Sequence, residues 1–210
     1  MKITKGTAAR CVAGIIGGVL LAGVGSTAFA AWPDEEDGSD VDVKVDIVPV
    51  AGGALSLTVG GTETTLSESG STATFRQFTG ALPDVTVTDT RTDVPAGVAW
   101  YVVGQAGDFV GTAGQPNITP DHLGWAPEVV TDNDGEVAPG DVVDTSLDSG
   151  ANAVGLAGQE LLYLALDSPE AKAASGQWTA NANLVLKTPV TVEPGAYTSV
   201  LTLSLFEDAF

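Results

Sequence analysis

Apolar and polar residues alternate along most of this chain after residue 42, and alternation with a period of two is typical of half-buried β-strands. The pattern is clearest in two C-terminal runs, 178–186 and 197–206, where most apolar side chains share one parity. Other strand-like runs are residues 43–47, 55–59, 73–78, 85–88, 98–103 and 161–166. Clusters of Gly, Pro, Asp and Asn separate these runs. The sequence therefore predicts an all-β fold, a single antiparallel β-sandwich of the Ig-like or jelly-roll-like kind.

The two C-terminal runs are predicted to be neighbouring antiparallel strands. Pro189 and residues 193–195 supply turn chemistry between them, so the connection should be irregular. Only residues 168–175 have a helical composition. Residues 104–158 are rich in Gly, Asp and Pro, which predicts long loops, where exported sandwiches usually keep their binding surfaces.

The N-terminus has the pattern of a secretory signal peptide. Three basic residues precede an apolar run at 12–24, which ends in Ala-Phe-Ala at 28–30. This pattern predicts cleavage after Ala30 and export from the cytoplasm. The apolar run is short for a membrane span, and no run of about twenty apolar residues follows it. We therefore expect no membrane insertion after signal cleavage.

An acidic segment follows the predicted cleavage point. Residues 31–42 contain almost nothing to bury and repel one another, which predicts a disordered leader rather than an ordered calcium loop. No long linker or repeat divides the remainder. The predicted organisation is a signal peptide at 1–30, the leader at 31–42 and one β-sandwich domain at 43–210.

The charge of the chain limits its partners. The formal net charge is −19, and the predicted signal peptide contains three of the eight basic residues. Such an acidic surface repels nucleic acid and anionic lipid, so we expect no nucleic-acid partner. The only cysteine, Cys11, lies within the signal peptide, so the exported domain must fold without disulfides.

The side-chain inventory argues against an enzyme. His122 is the only histidine, whereas Ser-His-Asp catalysis requires a base and zinc sites usually draw on several His or Cys ligands. We therefore expect no catalysis and no cofactor, with a hydrolase as a minor alternative. Asp132, Asp134 and Glu136 surround Gly135 and form a candidate weak calcium loop. A tight turn, which this sequence favours whether or not an ion is present, is the preferred interpretation of the same residues.

Aromatic residues are the candidates for glycan binding, because sugar rings stack on flat apolar faces. Trp100, Tyr101 and Trp125 are the predicted contacts. Trp125 lies in the segment predicted to be a loop, where an exposed ring is expected. Successive strand residues point to opposite faces, so one of Trp100 and Tyr101 should point inward and the other outward. Trp178 shares the parity of a buried strand face and is assigned to the core.

Several segments, in order, carry a resemblance to a known family. They are residues 87–91, 97–102, 123–127, 176–178 and 194–205. The first two resemble an Asp-Thr-Arg element that leads into a Trp-x-Leu strand, with Val102 in place of leucine. In the last segment, Leu203 replaces the tryptophan of a second Trp-x-Leu motif. From about residue 55 to 206, the chain resembles a divergent WxL-type surface domain of bacteria with thick cell walls.

This resemblance implies a secreted, non-catalytic β-sandwich that attaches non-covalently to the cell wall, with peptidoglycan as the ligand. It also implies occasional complexes with other exported surface proteins. Acidic wall polymers would repel this chain unless divalent cations bridge them. The alternative expectation is a structural or adhesion subunit that binds other exported surface proteins by strand addition.

Overall fold

The computed structural model of the chain describes residues 52–132 and 134–209. The predicted signal peptide, acidic leader and strand at 43–47 lie outside these residues, as do the domain boundaries at 30 and 42. The described part is built mainly from strands, and all pairings between the strands named below are antiparallel. The predicted all-β class is confirmed.

The elements are listed here in chain order. The strands are β1 (Leu55–Val59), β2 (Ser67–Glu68), β3 (Phe75–Ala81), β4 (Val85–Asp89), β5 (Val98–Ala106), β6 (Val110–Gly111), β7 (Leu123–Val129), β8 (Ala138–Pro139), β9 (Glu160–Ala165), β10 (Gln177–Pro189), β11 (Tyr197–Thr198) and β12 (Leu201–Ala209). Two 3₁₀ turns, Pro120–His122 and Gly155–Ala157, and one helix, α1 (Ser168–Ala174), complete the described part. The helix confirms the predicted helical segment, and the Asp167 side chain caps it by accepting a hydrogen bond from the Glu170 backbone N–H.

The first sheet is organised around the long strand β10. Strands β3 and β4 lie end to end along one edge of β10, while β7 pairs with its other edge. Leu184 shows this directly, since its register partners are Gly80 in β3 and Trp125 in β7. Strand β1 pairs with the outer edge of β4, and β2 pairs with β3.

The second sheet has the strand order β12-β5-β9-β8, and the short strands β6 and β11 form a separate pair. A bulge shifts the register between β5 and β9 after Val102. Before this bulge, Phe206, Tyr101 and Leu164 occupy one row across three adjacent strands. Residues that share such a row project from the same face of the sheet.

The core lies between the two sheets. Alternate residues of β10 are buried from Trp178 to Leu186, as the period of two predicts. From the second sheet, the Tyr163 hydroxyl donates a hydrogen bond of 3.0 Å to the Val85 carbonyl in β4. The Trp100 ring meets Tyr163 edge to face, with 5.2 Å between ring centroids. The two sheets therefore pack against each other through these side chains.

The prediction that the two C-terminal runs are neighbouring strands is wrong. Strand β10 belongs to the first sheet, whereas β12 pairs with β5 in the second, from Leu201 opposite Ala106 to Ala209 opposite Val98. Both edges of β10 are already taken by β3, β4 and β7, so no edge remains for β12. The connection therefore crosses from one sheet to the other.

The segment predicted to be long loops contains a principal strand of the core. Strand β7 lacks the alternation that predicts a strand, because the three successive residues Leu123, Gly124 and Trp125 are all buried. Much of the rest of this segment is irregular, as expected. An isolated antiparallel bridge between Trp125 and Val143, and an ion pair between Lys187 and Asp148, attach it to the first sheet.

Candidate functional site

Two of the three predicted glycan contacts are core residues. Trp100 and Trp125 each expose only 1% of their surface, so neither ring presents a face to a ligand. The prediction that Trp125 is exposed is wrong. Its ring lies over Gly104, where a Cβ would come within 2.6 Å of the ring atom Cη2. The glycine makes room for a buried indole, and this explains why the tryptophan packs inward.

Tyr101 is the predicted contact that remains accessible. It projects from the outer face of the second sheet while Trp100 points into the core, which confirms the expected division between these two residues. Its ring stacks on Phe206 of β12, with centroids 5.4 Å apart and an angle of 23° between the ring planes. Phe206 itself is 39% exposed.

Together with Leu164, these rings form what we call the outer apolar row (Phe206, Tyr101 and Leu164). The row crosses β12, β5 and β9 on the solvent face of the sheet. Sequence reasoning missed Phe206, although a signal existed: it is an aromatic residue whose parity is opposite to that of Leu201, Leu203 and Leu205. Apolar side chains that lie next to one another on an exposed sheet face are a sign of a contact surface.

One carboxylate completes this surface. The Tyr101 hydroxyl donates a 2.6 Å hydrogen bond to Oδ2 of Asp208. This bond, which deprotonation would remove, raises the pKa of Tyr101 above its ordinary value. The phenol therefore stays protonated at neutral pH, and an acceptor lies next to a flat apolar strip. Such a combination suits a ligand with aliphatic ring faces and hydroxyl or amide donors.

In the candidate calcium loop, residues 134–137 form a bend. The Asp134 backbone N–H donates a 2.8 Å hydrogen bond to Oε2 of Glu136, so one of the three carboxylates accepts a hydrogen bond from the backbone. Within residues 52–132 and 134–209, no group of three or more His, Cys, Asp or Glu side chains is arranged to hold a metal ion. Asp132, Asp134 and Glu136 are therefore not brought together as a ligand set.

The single histidine lies in a 3₁₀ turn. Its Nδ1 atom is 3.2 Å from the Thr119 hydroxyl and 3.3 Å from a carboxylate oxygen of Asp121. Ser146 hydrogen-bonds Asp121 rather than His122. This order differs from a Ser-His-Asp triad, in which the histidine lies between the other two residues.

A second surface is an open cavity of about 860 Å³ between the two sheets, which we call the apolar groove. Its walls include Leu57 of β1, and Leu201 and Leu203 of β12. Leu184 and Leu186 of β10 contribute from the core. The sequence did not reveal this groove, because a half-buried stripe has the same pattern whether protein or another molecule covers it.

An ion-pair cluster connects the two sheets beside Leu55, the first residue of β1. Arg91 donates to both carboxylate oxygens of Asp89, at 2.9 and 2.7 Å, and pairs with Glu207 of β12 at 2.8 Å. Burial works to raise the pKa of Asp89, but hydrogen bonds from Arg91 outweigh it and lower the pKa. The Asp-Thr-Arg element noted in the sequence thus has a structural role.

No protein-family model matches the chain, and no curated protein is significantly similar to it in sequence. In the part of the chain that the structure describes, no helix has the length and apolar character needed to cross a membrane.

Proposed function

We propose that this chain is a secreted, non-catalytic surface protein that associates non-covalently with the bacterial cell wall, with peptidoglycan as its ligand. The observation that carries the proposal is the outer apolar row beside Asp208. It places Tyr101 and Phe206 on an accessible sheet face, next to a hydrogen-bond acceptor. The signal-peptide pattern and the WxL-type resemblance of the sequence support the same proposal.

Glycan binding fits this surface physically. The faces of pyranose rings are apolar and stack on aromatic side chains, while hydroxyl and amide groups donate to carboxylates. Such contacts need no basic patch on the protein. The strong negative charge of the chain would oppose its approach to acidic wall polymers, so calcium should strengthen retention by bridging the two.

The test is co-sedimentation of the purified secreted protein with insoluble peptidoglycan, with and without calcium, and with chitin and cellulose as comparison polymers. We expect selective pelleting with peptidoglycan. Tyr101→Ser and Phe206→Ser should each weaken binding about fivefold, since an aromatic stacking contact contributes about 1 kcal/mol. The double variant should remain largely in the supernatant.

Val190→Ser is the matched control, because Val190 is a 50% exposed apolar residue that follows β10 in the other sheet. It should pellet like the unmodified protein. If the double variant is folded and pellets normally, the outer apolar row has no role in binding. If the unmodified protein stays in the supernatant under all conditions, the wall-binding proposal is wrong.

A further inference from the structure

We propose that the apolar groove binds an extended segment of another exported polypeptide by strand addition to the edge of β12 that pairs with no other described strand. The segment would alternate apolar residues, which enter the groove, with polar residues, and would carry basic residues at its ends. This inference goes beyond the proposed wall association, because it assigns a second surface on the molecule to a protein partner.

The groove has the size and lining of a binding site. Its volume of about 860 Å³ falls within the range of about 300–1,000 Å³ that is usual for ligand pockets. Leu57, Leu201 and Leu203 along its walls are only partly buried, whereas Leu184 and Leu186 belong to the core. Apolar side chains that remain half-exposed beside an open cavity gain free energy when another apolar group covers them.

The strands beside the groove favour a polypeptide over a lipid. Among residues 52–132 and 134–209, β12 pairs only with β5 and β1 pairs only with β4, so each strand has one unpaired edge. Such edges offer backbone N–H and C=O groups as well as apolar side chains. An added strand would satisfy both sets of groups, whereas an acyl chain would cover only the side chains.

The negative charge of the chain and of the groove favours a basic polypeptide as the partner. The chain has a formal net charge of −19, which opposes the approach of a second copy. Glu63 and Glu193 line the groove and are exposed, and neither has a cationic partner among the described residues. Arg76 also lines the groove, but its charge is already paired with that of Glu68 at 2.8 Å. Basic residues flanking the incoming strand would therefore complement the groove.

The experiment uses the full secreted protein and a fluorescent peptide that alternates valine and threonine between terminal lysines. Fluorescence anisotropy should show saturable binding. N-methylation of alternate peptide nitrogens removes backbone donors and should weaken binding at least about tenfold, since strand addition depends on main-chain hydrogen bonds. Exchange of the terminal lysines for glutamates should also weaken binding, most strongly at low salt.

Leu203→Ser tests the groove itself and should weaken peptide binding about fivefold or more. Leu205→Ser is the matched control, because Leu205 shares the strand and parity of Leu203 but does not line the groove. Near-UV circular dichroism would check that both variants fold. Val59→Ser replaces a groove-lining residue that is 43% exposed, and it serves as a second test if Leu203→Ser does not fold.

Four outcomes would overturn the proposal. Absence of saturable binding would show that the groove takes no added strand. Equal binding of the N-methylated peptide would indicate a site for apolar groups without strand addition. If a peptide with the sequence of residues 43–50 binds more tightly than the valine–threonine peptide, the groove binds a segment of this chain. If the protein dimerises and Leu203→Ser prevents dimerisation, the groove binds a second copy of the chain. Leu203→Ser should still bind peptidoglycan, and Tyr101→Ser should still bind the peptide. Each proposal can therefore be refuted without refuting the other.

Discussion

Arg91 is the residue at which the two sheets are joined by charge. Its guanidinium contacts Asp89 at the end of β4 and Glu207 in β12, and the side chains of Arg91 and Asp89 are only 14% and 5% exposed. A buried carboxylate whose pKa is lowered stabilises the folded state above its unfolded pKa. Part of the molecule's stability should therefore depend on the ionisation of one aspartate.

Asp89→Asn tests this dependence. At pH 7 the substitution should lower the free energy of unfolding by about 3 kcal/mol, because it leaves Arg91 largely buried without its main partner. In the unmodified protein, this contribution is present above about pH 4 and is lost as pH falls through the lowered pKa of Asp89. The two proteins should therefore converge in stability as the solution becomes acidic.

Urea unfolding measured between pH 2 and pH 7 checks both points. Asp93→Asn is the control, because Asp93 is exposed and has no salt bridge to another described residue. It should change stability little. A difference between Asp89→Asn and the unmodified protein that stays constant over this pH range would show that ionisation of Asp89 is not the cause.

At the scale of elements, Tyr163 attaches β9 to the opposite sheet. Its hydroxyl lies 3.0 Å from the Val85 carbonyl and 3.3 Å from the Trp178 carbonyl. Burial raises the pKa of Tyr163, so the phenol remains a donor at neutral pH. One hydroxyl of β9 thus contacts backbone carbonyls of both β4 and β10 in the core.

Tyr163→Phe should lower the free energy of unfolding by about 1–2 kcal/mol, since it removes a buried hydrogen bond but keeps the ring. Tyr101→Phe is the matched control, because it removes a hydroxyl from the outer face of the same sheet. That change should cost less than about 0.5 kcal/mol, in line with an exposed position. Guanidinium unfolding measures both, and equal losses would refute the inter-sheet role of Tyr163.

The elements also show what pattern reasoning can detect. Strand β10 was predicted because its buried face alternates with a partly polar one. Strand β7 was missed, because three buried residues in succession have no period. Pairing between strands was harder still, since the pattern marks which face of a strand is buried but not which edge meets which neighbour. The wrong prediction that β10 pairs with β12 has this cause.

At the scale of the whole molecule, the surroundings of β1 differ between its two ends. Leu55, at the start of β1, is the register partner of Asp89, which belongs to the Arg91 ion-pair cluster. Val59, at the other end of β1, lines the apolar groove. The Arg91 ion pairs therefore join the end of β4 to β12 near the start of β1, and the apolar groove opens near the end of β1.

Net charge is also a property of the whole molecule, and it predicts a salt response. With a formal charge of −19, carboxylates repel one another more in the compact state than in the expanded unfolded chain. Screening should relieve this repulsion, because the Debye length falls from about 30 Å at 0.01 M to about 10 Å at 0.1 M salt. The melting temperature should therefore rise by several degrees between these concentrations.

Differential scanning fluorimetry in sodium chloride measures this response. The same salt series at pH 3, where most carboxylates are protonated, is the control and should show a much smaller change. A melting temperature that falls with salt at pH 7 would show that attractive ion pairs, such as the Arg91 cluster, outweigh the general repulsion.

The sequence by itself determined the class of this protein: period-two alternation requires strands with one buried face, and few basic residues make the surface acidic whatever the fold. It also determined that Trp100 and Tyr101 face opposite ways. Only the tertiary structure decided that Trp125 lies over Gly104 in the core, that Phe206 joins Tyr101 outside, and that a groove opens beside β12. These facts depend on which strand edges meet, and contacts between residues far apart in the chain leave no local pattern.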